Sequence, residues 1–538
     1  MAGLSVEETL ELWASSLRAA KARMRPLFTQ ARVAASAERF LDGLLGEERR
    51  KTGWMRAEAA GDPGPWRQQA ILGRAPWDAD ALRDIVRDYA LDTLADPEAV
   101  LVIDETGFLK QGHASCGVAR QYTGSAGKIT NCQIGVFASY VSHHGHAFID
   151  RALYLPKAWT DDLERRTRAH VPEAVQFATK PALARAMIER ALLADVPFSW
   201  VAADSVYGVG AIEMALRRAG KGYVLGVSAN HSFTSWANPH AVSGTARDIA
   251  GALPPEAWQR LSAGSGTKGE RLHDWAYLDL ADLDAGEFNA DFHGVWTRGL
   301  LIRRTISDGE LAFFTTWCPQ GTGMDTLVRV EGHRWAIEDS FETAKNELGL
   351  DHNETRSWHG WHRHVSLVML AFAMMATIRH HANAEPPKKP CAGCQQTQAD
   401  PLVNPGDPTH RQSPGPTPDR TGSYHCVVNV AKGPSGRSKA GTPTKKGATV
   451  MLEAVDIHGS HDADLLLAEL RGASVVIPPK ANRKIKRDYD KHAYKWRHMA
   501  ENFLAKMKEF RAIATRYEKT ACSYAANWHL AATIIASR

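Results

Sequence analysis

Apolar residues recur at three-and-four spacing in SVEETLELWASSLRAAKARM and in DADALRDIVRDYALDTL, whose first aspartate is a helix N-cap type, so residues 1–95 are predicted to be helical. Between these stretches, RRKTGWMRAEAAGDPGPWRQQAILGRAPW places two short helical segments around a Gly/Pro turn, with basic residues alternating with tryptophans. That pattern fits either a helix-turn-helix or a solvated basic face on a small bundle. From Ala99 the period changes to that of strands: AVLVIDE, KITNCQIGVFASYVS and HAFIDRALYLP, followed by the helical KPALARAMIERALLAD and the strand FSWVAADS. Three strands, a helix and a fourth strand predict an α/β core over residues 96–222. Residues 223–325 mix turn and strand character and end in LLIRRTI and LAFFTTW, too long for a loop and therefore a β-rich insertion. Helices resume in TLVRVEGHRWAIEDSFETAKNELG and HRHVSLVMLAFAMMATIRHH, so residues 326–382 are assigned to the core.

Residues 383–448 carry eleven of the chain's 26 prolines and few large apolar side chains, which predicts a disordered linker. Residues 449–538 regain amphipathic helical patterning and are expected to form a small structured α/β tail.

Composition alters this picture little. With 538 residues the chain has room for several domains, and 44% apolar and 23% charged residues are ordinary for a globular protein. A net charge of +5 permits nucleic-acid binding without demanding it. Seven cysteines and no leader pattern point to a reducing cytoplasm without disulfides. The longest apolar run, VSLVMLAFAMMATI, is shorter than the roughly 20 residues of a spanning helix, so it is read as a buried core helix and no membrane association is expected.

The candidate chemistry lies in carboxylates. Asp104 ends the apolar run AVLVID and Asp204 ends FSWVAAD. Either alone is as readily a turn residue or helix cap; at equivalent places in one α/β core, neighbouring strand ends bring two acids close enough to share a hard cation such as Mg²⁺. Glu338 is the third candidate, on a helix whose spacing places Arg334, Glu338 and Lys345 on one side, with Trp335 and Phe341 available for packing.

Together these residues resemble the DDE transposases of bacterial insertion sequences, in the group with the pattern Y-x2-R-x3-E-x6-K, and the insertion-sequence 701 family in particular. The resemblance runs from about residue 10 to 385 through VLVIDETGFLKQGHASCGVARQYTGSAGKITNCQIGVF, WVAADSVYG and GHRWAIEDSFETAKNELGLDHNETRSWHGWHRH. It departs where the pattern's tyrosine is Glu331. The resemblance implies an RNase H-like catalytic core holding two Mg²⁺ or Mn²⁺ ions: Asp104 bridging them, Asp204 and Glu338 each on one, and Arg334 and Lys345 on phosphates of the element's end. It further implies cleavage of transposon ends, joining of the 3′ hydroxyls to target DNA, double-stranded DNA as partner, homodimeric synapsis, and a bacterial cytoplasmic protein associated with the nucleoid. The N-terminal helices would read the inverted repeat. A catalytically inactive DNA-binding chimera and a general RNase H-like nuclease are the alternatives.

Other clusters invite chemistry. CAGC, with His410, His425 and Cys426 downstream, has the spacing of half a zinc site but lacks a second tight pair. His359, His362 and His364 in SWHGWHRH are read as packing residues, and VSHHGH as a hairpin turn. Finally, YKWRHMAENFLAKMK repeats the pattern in full, as Tyr494, Arg497, Glu501 and Lys508. The tail resembles the C-terminal part of insertion-sequence 5 family transposases, but the position of that family's second aspartate falls on His458, and the likeness begins too late to include a first one. Glu501 is therefore expected to be catalytically silent, a remnant fused to the 701-like core.

Overall fold

The computed structural model describes residues 6–235, 242–266, 269–280 and 295–384. Residues 385–538, which hold all but the first two residues of the expected linker, CAGC, the expected tail and the second motif, lie outside these residues.

The N-terminal helices form as patterned: α1 (Val6–Met24), α2 (Ala31–Leu45), α3 (Gly53–Ala59), α4 (Trp66–Gly73) and α5 (Ala79–Leu94). Asp78 caps α5, its carboxylate accepting the N–H of Asp80 at 2.7 Å, and Thr52 caps α3. The basic stretch around α3 and α4 is divided between two environments. Lys51 and Arg56 turn inward, the Arg56 guanidinium lying 3.9 Å from the Phe40 ring centroid, while Trp54 and Trp66 stand exposed.

A ten-stranded sheet follows, in the order β2-β3-β1-β5-β6-β12-β11-β10-β9, with β4 also paired to β3. The strands are β1 (Val100–Leu109), β2 (Ala119–Thr123), β3 (Lys128–Ser142), β4 (Gly145–Tyr154), β5 (Trp200–Ala203), β6 (Gly222–Val227), β9 (Gln259–Gly266), β10 (Gly269–Asp279), β11 (Trp296–Arg304) and β12 (Leu311–Pro319), while β7 (Ser232–Thr234) and β8 (Ser243–Thr245) pair separately. β1 is antiparallel to β3 and parallel to β5, and β5 is parallel to β6. Central strands buried on both faces read as continuous apolar runs, which is how Val100–Ile103 and Trp200–Ala203 appear. β2 is an addition to the predicted strands, and α6 (Lys157–Thr160) and α7 (Leu163–Arg168) precede the expected α8 (Lys180–Leu193). The His143–His144 dipeptide is the hairpin tip between β3 and β4.

The β-rich segment does not close on itself. Its β12 pairs with β6, so β12, β11, β10 and β9 extend the same sheet, and α10 (Ala246–Gly251) covers a small satellite core containing Phe233, Ile249, Leu300 and Phe313. Earlier in the chain α9 (Gly210–Arg218) lies between β5 and β6, and after β12 the chain forms α11 (Met324–Gly332), α12 (Arg334–Asn346) and α13 (Trp358–Ala384). Phe341 of α12 and Trp361 and Phe372 of α13 meet Phe137 and Phe148 on one sheet face.

The apolar run read as a core helix is the middle of α13, where Val365–Met374 are buried. Buried arginines tie the N-terminal helices to this core: Arg363 donates to the carbonyls of Leu72 and Trp77, and Arg151 to Asp80, Ser366 and the carbonyl of Ala79. One contiguous apolar core runs from Met24 through Ile103 to Ile378.

Candidate active site

β1 and β5 pair from Val100 opposite Trp200 to Ile103 opposite Ala203. Asp104, midway along β1, and Asp204, the first residue after β5, come next, so the register sets them level with one another where the parallel pairing ends, at the carboxyl end of β5, where open α/β sheets form their crevices. Asp104 Oδ1 accepts the N–H of Glu105 at 2.7 Å. Asp204 Oδ1 accepts the N–H of Val206 at 2.9 Å, and its carbonyl accepts the N–H of Tyr207 at 3.1 Å, which closes a turn immediately after β5. Burial raises the Asp104 carboxyl to about 7, with the charge of Asp204 adding to the effect and Arg334 opposing it. Burial also raises Asp204, again against Arg334.

α12 supplies the rest. Burial raises Glu338, opposed first by Arg334 and then by Arg271, so the Arg334 charge bears on all three predicted acids. Among the described residues, no three His, Cys, Asp or Glu side chains converge as a set of metal ligands. The aspartates are paired, while Glu338 lies among the arginines of α12 and the extended sheet. The donor chemistry nevertheless suits a hard divalent cation: the ligands are carboxylate oxygens whose charged form is disfavoured by burial and would be restored by a cation.

Lys345 is engaged with the core. Its Nζ donates to Thr106 Oγ1 at 2.6 Å, Ser125 Oγ at 3.0 Å and the Gly107 carbonyl at 3.2 Å, pinning α12 to β1 two residues beyond Asp104. Glu331, at the tyrosine position of the resembled pattern, is only 2% exposed and accepts from Arg303 Nη1 of β11 at 2.8 Å, with Arg334 Nη1 at 3.9 Å. A carboxylate is held in this buried place by Arg303, which the extended sheet delivers, and by Arg334 of α12.

The histidines of SWHGWHRH pack, as predicted. His362 and His364 are buried and held neutral, their pKa lowered to about 3 by burial, and they donate to the carbonyls of Trp358 and Gly349 respectively. His359 donates to the Gly73 carbonyl at 2.9 Å.

Sequence reasoning missed a second group. On the other side of β1 from Asp104, Glu105 receives Lys180 Nζ at 2.5 Å and the Tyr207 hydroxyl. Tyr207 is fully buried, and burial together with Glu105 holds its phenol firmly protonated. Glu105 and Tyr207 stand beside the predicted aspartates in sequence, so proximity was the available signal. Arg271 and Arg303 come from strands with no such mark.

In comparisons with known proteins, residues 23–275 match the family model described as DDE superfamily endonuclease. A probable transposase for insertion sequence element IS701 from Microchaete diplosiphon is 28% identical over 192 residues, 35% of this chain; the match spans about half, 47%, of that relative's length. Among solved structures, a piggyBac transposase synaptic complex with hairpin DNA aligns at a TM-score of 0.35 and 10% identity, covering 66% of each chain. Asp104, Asp204, Glu105, Lys180 and Tyr207 all fall inside the stretch that matches the DDE superfamily endonuclease model, whereas Arg334, Glu338 and Lys345 lie beyond it.

Proposed function

We propose that this chain is a DNA transposase of an insertion sequence, cleaving the element's ends and joining the freed 3′ hydroxyls to target DNA. The observation that carries the reading is the level placement of Asp104 and Asp204 where the β1–β5 pairing ends, inside a DDE superfamily endonuclease match, with the charge of Arg334 from α12 bearing on both. The strand order β4-β3-β1-β5-β6, with β1 antiparallel to β3 and parallel to β5, supports an RNase H-like core.

In this reading Asp104, Asp204 and Glu338 hold two Mg²⁺ or Mn²⁺ ions. Bound there, the metals supply Lewis-acid activation of the attacking oxygen and charge stabilisation in phosphoryl transfer. The chain contributes the oxygen donors and a buried setting that excludes bulk water. Arg334, whose charge bears on the acids, would contact a phosphate of the element's end; its planar fork suits that role. Lys345 contacts a phosphate from the same helix, leaving its seat on Thr106 when DNA is present. The N-terminal helices α3 and α4, with Trp54 and Trp66 exposed, read the inverted repeat, and two copies synapse two ends.

A second reading, a DNA-binding protein without cleavage, is favoured by one observation: Glu338 does not join the aspartates in one ligand set among the described residues. Incubating the protein with labelled DNA from the flanks of its reading frame separates the two. Transposase function requires end-specific nicking that depends on Mg²⁺ or Mn²⁺ and disappears in Asp104→Ala and Asp204→Ala. End binding without any nicking overturns it, and indiscriminate nicking points to a general nuclease.

A further inference from the structure

The backbone pairing that sets Asp104 and Asp204 level stops one residue before them. The last paired residues are Ile103 and Ala203, while a shared cation needs the separation of the two acids just beyond them held closely. The structure supplies a further hold on each flank of the β5 end.

On one flank the chain turns after Asp204 and returns toward β1. Successive strand residues point to opposite faces, so Glu105 leaves β1 on the side away from Asp104, where α8 packs. Tyr207, three residues after Asp204, buries its ring completely and donates its hydroxyl to Glu105 Oε2. Lys180, in the first turn of α8, donates to Glu105 Oε1 at 2.5 Å. One carboxylate therefore joins the strand bearing Asp104, the turn bearing Asp204 and a helix.

On the other flank β6 presses against the same turn. A Cβ on Gly226 would lie 2.7 Å from the Ser205 nitrogen and 2.9 Å from the Asp204 carbonyl carbon, and a Cβ on Gly208 would lie 2.0 Å from the Gly226 oxygen. Only glycines permit this approach, so the turn cannot recoil from the Glu105 link.

We infer that Glu105, Tyr207 and Lys180 are positioning residues that set the spacing of the Asp104–Asp204 pair for a divalent cation, with Gly208 and Gly226 as the opposing wall. This rests on the metal-dependent reading above, so the test measures metal binding separately from cleavage.

Mn²⁺ is titrated into the full chain and followed by electron paramagnetic resonance, for wild type, Asp104→Asn, Tyr207→Phe, Lys180→Met, Glu105→Ala and Glu105→Gln, with thermal midpoints and end-DNA binding recorded alongside. Tyr207→Phe removes a single hydroxyl and keeps the buried ring. It and Lys180→Met are expected to weaken Mn²⁺ binding about tenfold or more, the usual effect of losing a group that orients a ligand, with DNA binding unchanged. Glu105→Gln keeps an oxygen acceptor for Tyr207 and should lose less than Glu105→Ala. A purely structural role would lower the thermal midpoint and leave the Mn²⁺ affinity of the folded protein where it was. Wild-type Mn²⁺ affinity in Tyr207→Phe and Lys180→Met, with Asp104→Asn impaired, overturns the inference and leaves the metal site standing. Mn²⁺ binding without cleavage by the wild type overturns the transposase reading alone, and no Mn²⁺ binding by the wild type overturns both.

Discussion

Replacing Asp104 by asparagine should make the metal-free protein more stable at neutral and alkaline pH, and the gain should vanish in acid. In the unfolded chain this carboxyl ionises near 3.8, whereas in the folded chain burial, reinforced by Asp204, moves it to about 7. The folded state then binds the proton more tightly across that interval, so ionising Asp104 works against folding. Below the lower value both states are protonated and the cost is nil. It grows as pH rises between the two values and levels off above the upper one. At 1.36 kcal/mol per pH unit, a displacement of roughly three units costs about 4 kcal/mol, and the residual solvent access of Asp104 trims this to about 2–4 kcal/mol. Asparagine is nearly isosteric, and its Oδ1 can still accept the Glu105 N–H that Asp104 takes at 2.7 Å, so packing and this hydrogen bond persist while the charge goes. Urea denaturation in EDTA at pH 8 should show Asp104→Asn more stable by about 2–4 kcal/mol, falling to under about 1 kcal/mol at pH 4. Equal stability at pH 8, or a gain that does not change with pH, would refute the claim that the site stores unfavourable negative charge awaiting a cation.

Arg303→Met leaves the Glu331 carboxylate buried without its 2.8 Å partner; a loss of about 2–4 kcal/mol in urea denaturation is expected, partly recovered by adding Glu331→Gln, and a loss below about 0.5 kcal/mol would contradict the pairing. Lys345→Met removes two donated hydrogen bonds from α12 to β1 and one to Ser125, so the thermal midpoint should fall by an amount matching about 1–3 kcal/mol, and faster amide exchange in α12 should localise the damage. Glu338→Ala should abolish end cleavage, whereas Glu501→Ala, outside the described residues, should cleave as wild type does; an equally deep loss from both would show that the second motif works.

Much of the fold was legible because its cues are local. The Asp78 cap, the three-and-four spacing of α1 and α5, the apolar runs of β1 and β5, and the length of α13's apolar run each depend on residues adjacent in sequence. β2 escaped notice because Ala119–Thr123 is a half-exposed strand without a sustained apolar face. The continuation of the sheet from β6 through β12 to β9 was hidden for a different reason: strand pairing between segments about 90 residues apart leaves no periodic trace in either.

The candidate site divides the same way. The sequence by itself determined which groups are present: an aspartate closing each of two apolar runs, and a helix carrying Arg334, Glu338 and Lys345 at helical spacing. Only the tertiary structure decided how they meet. It set Asp104 level with Asp204 through the β1–β5 register, seated Lys345 on Thr106, placed Arg303 against Glu331, and tied Glu105 to Tyr207 and Lys180. Side-chain chemistry and local period are properties of neighbours along the chain. The spacing of two carboxylates and the charge that burial denies them are properties of the packed interior, and these exist only once residues a hundred or more positions apart have excluded water from between them.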